Sequence, residues 1–423
     1  MTLVLVLAGF VGLLLLGTPI AFAILIPSLL YFLLSPTSSL ASVAPTVVSG
    51  IDSFPLVAVP MFLLLGSIAS RTSATEKLFV AAEKNLGNLR GSLGYVNIAT
   101  SVGFSWMSGS AISDAAALSR MLVPTMIKRG YPRGYSLGIT AASSLVSPIM
   151  PPSIAAVLYA VVSGVSLGGM LLAGIGPALV LIALLCAYTW VWSRLTKAPI
   201  QSGDRVRSGR LKAVRDVLPV LGAPLIVVGG ILGGVFTPTE ASAVAVLYLI
   251  LLGLIERSLR LRTLGAALAE TAKAVGSIML IVAAAFVFGR IVTLEGGAQA
   301  LSEYMLSLTE SPLIFLLIVN VTLLLIGMVL EAGAAILLLV PILLPMATTY
   351  GIDPLHFGAI VILALLLGLL TPPLGLLIYV LSGTTDIPIS DVFRAVPPVL
   401  VPLAIGLLLV TYLPTISLWI PNL

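Results

Sequence analysis

The 423-residue chain holds one cysteine, one histidine and few charges, with Asp, Glu, Lys and Arg making up only 9% of it. A soluble domain carries roughly 25% charged residues. This chain therefore cannot cover its own surface with polar groups. A cytosolic globular enzyme, a disordered protein and a nucleic-acid binder are excluded. Cys186 lies in an apolar run and gives no disulfide framework. His356 cannot form a metal cluster by itself. No long polar stretch offers an attached ATPase, HExxH does not occur and the one histidine lies near a span end, so intramembrane hydrolysis lacks its parts. The apolar N-terminus has no charged leader region and no small-residue cleavage signal. It reads as a membrane segment and not as a removed signal peptide.

What is present is apolar: 59% hydrophobic residues and a mean hydropathy of +1.19. That composition predicts an all-α polytopic membrane protein. Apolar segments run near 3–34, 52–70, 92–127, 133–163, 169–193, 217–235, 238–255, 274–294, 312–347, 356–381 and 395–414. The first is either one tilted helix or two short ones. The 92–127 and 312–347 stretches are too long for one span and carry glycine near their middles, so they read as re-entrant hairpins. Residues 72–90 and 256–273 mix charge with an apolar stripe, as helices lying in the membrane interface do. Trp190 and Trp192 read as an interfacial belt.

The net charge is +5, but its placement matters more. Lys and Arg mark the cytoplasmic side. They cluster at 71–90, 128–133, 194–215 and 257–273, and all four clusters share one face if 92–127 enters and leaves on that side. Landmarks recur in order: Asp114 with Pro124 and Glu331 with Pro341, then Pro151-Pro152 and Pro372-Pro373, Tyr159 and Tyr379, Ser163-Gly164 and Ser382-Gly383, Pro177 and Pro397. Arg71 and Glu76 match Arg290 and Glu295. The offset stays between 217 and 221. Five crossings separate the two hairpins, so the two copies are inverted, the architecture of secondary transporters.

Each copy has a hairpin tip and a broken span. Proline removes a backbone N–H and breaks the helical ladder, which frees carbonyls. Carbonyl and hydroxyl oxygens suit a hard monovalent cation such as Na⁺, and half-helix N-termini suit a carboxylate. Ser108, Gly109, Ser110, Ser147 and Pro148 are the expected lining of one cation site, and Gly327, Gly368 and Thr371 of its twin. The substrate region is expected between the tips, at Ser110, Met150, Pro151, Met328 and Pro372. Asp114 and Glu331 are intramembrane carboxylates. They either couple transport or cap helix N-termini and stiffen the tips. Glu240 and Asp52, near span ends, are weaker functional candidates, and His356 and Cys186 read as structural.

Five segments then carry a resemblance: SGIDSFPLVAVPMFLLLGSI, MSGSAISDAAALSRMLVPTMIKRGYP, GVFTPTEASAVAVLY, GAAILLLVPILLPMATTYGIDPLHFGAI and LLTPPLGLLIYVLSG. The chain resembles the large membrane subunit of tripartite ATP-independent periplasmic (TRAP) transporters. The resemblance implies a Na⁺-coupled importer of organic acids, often C4-dicarboxylates or sialic acid, in a bacterial or archaeal inner membrane. It implies a small membrane subunit, expected here as a separate chain, and a periplasmic binding protein that delivers the substrate. It also implies elevator motion, with Na⁺ as coupling ion and no other cofactor. In that reading 1–90 and 217–310 are scaffold and arms, 91–193 and 311–423 are the halves of a transport domain, and 194–216 is a basic cytoplasmic loop. Rival readings are a stand-alone Na⁺- or H⁺-coupled anion symporter or exporter of similar build, and a purely structural membrane subunit.

Overall fold

The computed structural model describes residues 2–35, 39–196 and 209–422, and it is helical, with no strand among them. Among the described residues five helices are long and apolar enough to cross a membrane, and three further pairs qualify as bent spans. Three of the shorter apolar helices, Ile154–Ser163, Pro354–Gly368 and Leu376–Thr385, are halves of broken spans. The first hairpin consists of Ser92–Ser108 and Ala111–Lys128, and the first broken span of Arg133–Ser144 and Ile154–Ser163. Their counterparts are Pro312–Gly327 with Ala332–Thr349, and Pro354–Gly368 with Leu376–Thr385.

Residues 3–34 form two helices, Thr2–Leu15 and Ile20–Leu34, that double back on each other. The turn between them carries Thr18-Pro19, and 219 residues later Thr237-Pro238 starts the helix Pro238–Ile255. The repeat therefore extends to the very start of the described chain. One expected element is different. Residues 256–273 do not form a separate interfacial helix, because Leu261–Leu294 is a single 34-residue helix. Its equivalent in the first copy is split into Val43–Ile51 and Ala58–Arg71 by Asp52-Ser53-Phe54-Pro55. The second copy has no proline at that point, so its helix runs on. The second arm is instead Gly297–Leu308, bent by 119° from the hairpin that follows it.

Four polar contacts fix the orientation. Arg71 pairs with Glu270 at 2.5 Å and Lys77 with Glu256 at 2.6 Å. Arg129 pairs with Glu83, and Arg210 Nε donates to the Lys84 carbonyl at 2.8 Å. These bonds draw the four basic clusters onto one face. Of the 194–216 loop, residues 197–208, with Lys197, Arg205 and Arg207, lie outside the described residues. The 34-residue helix starts on the basic face and is about 51 Å long, against a hydrocarbon core of about 30 Å. Its end lies on the opposite face, where the second hairpin begins. The copies are inverted.

Packing follows the same exchange. Helix 154–163 lies on arm 332–349, and its twin 376–385 lies on arm 111–128. Helix 58–71 lies on 238–255, as 261–294 lies on 20–34. The second half of each copy's broken span thus packs on the other copy's hairpin, while its first half packs on the hairpin of its own copy. Trp190 stays at the surface with Arg194 over its ring, 5.3 Å from the centroid. Trp192, expected beside it in a belt, instead stacks inward on Tyr135 at 3.5 Å.

Candidate functional site

In each copy the hairpin tip abuts the break of the neighbouring span. Ser108 ends the first arm, and its Oγ lies 2.9 Å from Ser147 Oγ. Gly109 turns the tip with φ +59°. A Cβ there would fall 2.6 Å from the Pro152 carbonyl, so glycine serves both the turn and the contact. Ser110 caps the returning arm, its hydroxyl accepting from the Ser113 N–H at 3.4 Å. Ser147, Pro148, Met150 and Pro151 are buried, and Pro148 O accepts from Ser153 Oγ. In the second copy Gly327 and Gly368 occupy the positions of Ser108 and Ser147, and their backbones touch. A Cβ on Gly368 would meet Gly327 Cα at 2.6 Å. Thr371 Oγ1 donates to Leu367 O at 2.7 Å. Met328 and Pro372 are half-buried. Both Pro-Pro peptide bonds, 151–152 and 372–373, are cis.

The two carboxylates are not equivalent, contrary to the sequence pairing. Two residues separate the arms at the first tip and four at the second. The offset therefore shifts from 219 before the tip to 221 after it. Pro124 then matches Pro345 and not Pro341, and Asp114 matches Ala335. Glu331 takes the place of Ser110: it is the N-cap, accepting from Ala334 N–H at 3.2 Å, and it faces open space. Asp114 is fully buried inside the hairpin. Its Oδ2 accepts from Ser101 Oγ at 2.6 Å, while its Oδ1 has no partner.

Asp114 belongs to a polar ladder not singled out from the sequence. Asn97 Nδ2 donates to Thr140 Oγ1 at 2.6 Å, and Ser143 Oγ donates to Asn97 Oδ1 at 2.8 Å. Ser101 Oγ also lies 2.9 Å from the Ser143 carbonyl. The ladder runs along the seam between hairpin and broken span toward the Ser108–Ser147 contact. Spacing on the entering arm (Asn97, Ser101, Ser108) puts these residues on one helical face, a signal available in the sequence. In the second copy Asn97, Asp114, Thr140 and Ser143 correspond to Leu316, Ala335, Val361 and Ala364. The second tip thus has no acid at the position of Asp114 and is mainly glycine and apolar side chain, with Thr371 and, in place of Ser101, the buried Asn320, whose Nδ2 donates to Thr411 Oγ1 at 2.9 Å and whose Oδ1 has no partner.

Arg120 was also missed. It lies exposed on the returning arm, six residues past Asp114, in an otherwise apolar segment, which is itself a functional flag. A cavity of about 150 Å³ lies beside this hairpin, lined by Gly66, Ser67, Ser108, Ser113 and Glu270. Two further candidates have structural roles. Thr237 and Glu240 form a capping box, which explains the TPTE motif. His356 is buried, with Nδ1 2.8 Å from Ser417 Oγ.

Paired hairpins, paired broken spans and inverted copies define a helical, multi-pass membrane transporter. The fold is shared with the Alcanivorax borkumensis YdaH transporter, with a TM-score of 0.62 at 15% identity over 95% of this chain and 96% of that one. The family described as tripartite ATP-independent periplasmic transporter, DctM component, matches residues 7–416, and the chain belongs to it. Similar proteins include the sialic acid TRAP transporter large permease protein SiaM of Vibrio cholerae, 39% identical over 98% of this chain and 97% of that one. The C4-dicarboxylate large permease protein DctM of Pseudomonas aeruginosa is 34% identical over 93% and 92%. The sialic acid permease SiaT of Haemophilus influenzae is 32% identical over 96% of this chain but 66% of its own length.

Proposed function

We propose that this chain is the large permease subunit of a Na⁺-coupled importer of organic acid anions in the inner membrane. It works with a small membrane subunit on a separate chain and a periplasmic binding protein. The observation that carries the Na⁺ assignment is Asp114 Oδ1, a fully buried carboxylate oxygen without a partner. Leaving such a group unsatisfied is expensive, and a small hard cation held by oxygens relieves it. Ser101, Ser108, Ser110, Ser147 and the carbonyls freed at Ser147-Pro148 supply further oxygen close by. Gly327, Gly368 and Thr371 form a second, mainly backbone site. Relatives matched almost end to end are named as large permease proteins, for sialic acid and for C4-dicarboxylates. That supports both the subunit role and the substrate class.

In this mechanism the binding protein releases an anion into the outward-facing cavity, and the transport domain carries it near Ser110, Met150, Pro151, Met328 and Pro372. Na⁺ bound at the tips orders them and offsets the negative charge. The block formed by 91–193 and 311–423 then moves against 1–90 and 217–310 as an elevator. Direction comes from differential affinity, because the cation-free form binds anion poorly. The test is uptake into proteoliposomes that contain this chain, its small subunit and the binding protein. Uptake follows an inward Na⁺ gradient, and its absence refutes the coupling. The same buried carboxylate favours one alternative, in which Asp114 carries a proton. That version predicts uptake driven by an inward proton gradient without Na⁺.

A further inference from the structure

Repeat symmetry exposes an arginine that has lost its partner. On the basic face Arg71 is held by Glu270, which also lies 3.2 Å from Ser67 Oγ. At the offset of 219, Arg290 corresponds to Arg71, and the position that corresponds to Glu270 is Ile51. Arg290 forms no ion pair among the described residues and is exposed. It lies four residues from the end of the 34-residue helix, on the face opposite the basic clusters. It therefore runs against the charge bias that sets topology, and a topology signal does not explain it.

Arg290 lines a cavity of about 350 Å³, more than twice the volume of the cavity on the basic side. The two cavities use equivalent stretches of the repeated helices, Gly66 to Ser70 in one and Ala285 to Gly289 in the other. The cavity at Arg290 is also lined by Thr46, Ser49 and Thr293, and by Leu337 and Pro341 from the returning arm of the second hairpin. It thus sits where the proposed moving and fixed parts meet. The hydroxyl protons are already engaged: Thr46 donates to Ser42 O at 2.8 Å, Ser49 to Thr46 O at 3.1 Å and Thr293 to Gly289 O at 3.0 Å. Toward the cavity these three residues offer lone pairs. The guanidinium is the donor group, in a fork that matches one carboxylate or sulfonate.

We propose that this cavity is the receiving site for the substrate on the uptake face, with Arg290 taking its single anionic group and Thr46, Ser49 and Thr293 accepting from its hydroxyls. The proposal rests on the organic-anion import argued above and narrows its substrate class to hydroxylated monoanions such as sugar acids. A dicarboxylate would place its second charge against hydroxyl lone pairs, with no second cation among the described residues that line the cavity.

Phenylglyoxal modification of Arg290 in the purified full chain, read by mass spectrometry of its peptide, tests the site directly. N-acetylneuraminate or 2,3-diketo-L-gulonate is expected to slow modification at a concentration at least about tenfold below that needed with succinate. An Arg290 that resists the reagent, no protection, or equal or better protection by succinate overturns the proposal. In reconstituted uptake of the protecting anion, Arg290→Gln raises KM at least about tenfold with kcat little changed, and Arg290→Lys recovers most of the loss. An unchanged KM, or a fall in kcat alone, also overturns it. Should Arg290→Gln fail to fold, the protection experiment on the unaltered protein decides. Uptake without Na⁺ dependence in the unaltered complex counts against the coupling reading and leaves the protection result standing.

Discussion

Asp114 and Ser147 carry most of the chemistry proposed for the first tip. Replacing Asp114 by Asn keeps the shape and the Ser101 contact but removes the charge. The Na⁺ concentration for half-maximal uptake is expected to rise by at least about tenfold, near 1.4 kcal/mol. An unchanged Na⁺ dependence removes Asp114 from the site. Ser147→Ala should act the same way to a smaller degree. Thr371→Ala should act least, because its hydroxyl already serves Leu367 O. Glycines give a different kind of test. Gly368→Ala forces a methyl into the backbone of Gly327. Overpacking of this sort costs about 1–3 kcal/mol, visible as a lower melting temperature and lost uptake. Gly383→Ala meets nothing within 4 Å and leaves both unchanged.

Helix ends decide where the elements start and stop. The Thr237–Glu240 capping box holds the start of Pro238–Ile255. Thr237→Ala is expected to cost about 1 kcal/mol, measured by thermal unfolding, and to leave the Na⁺ dependence untouched. A shift in Na⁺ dependence would mean that this helix end takes part in the ion site. Prolines gave the breaks in the sequence because they act locally. The long helix 261–294 was harder to read, since its charged first half looked like an interfacial element. With no proline inside it, the ladder continues regardless of charge.

The whole molecule couples two inverted copies through exchanged contacts. If the block carrying the hairpins slides against the outer helices, bridging the two must stop transport. Ser67 and Ser113 face the same cavity from the two sides. In a Cys186→Ser background, cysteines at both positions joined by a bifunctional methanethiosulfonate are expected to abolish uptake, which returns on reduction. Full uptake in the linked protein would exclude the elevator motion. Each single cysteine, treated alike, should transport normally.

Composition, breaker residues and charge clusters made the membrane class, the two hairpins, the two broken spans and the inversion legible from the chain itself. These depend on hydrophobicity and on local backbone chemistry, which neighbours in sequence determine. The register of the repeat did not follow from matching landmarks, because two extra residues at the second tip shift the pairings from the returning arm to the Pro-Pro break; Asp114 and Glu331 looked like twins for that reason. The Asn97–Thr140–Ser143–Asp114 ladder and the loss of Arg290's partner were likewise decided only in three dimensions. On a helix one residue of phase turns a side chain by about 100°. Which polar groups meet across residues more than forty apart in the chain is therefore fixed by how the helices pack.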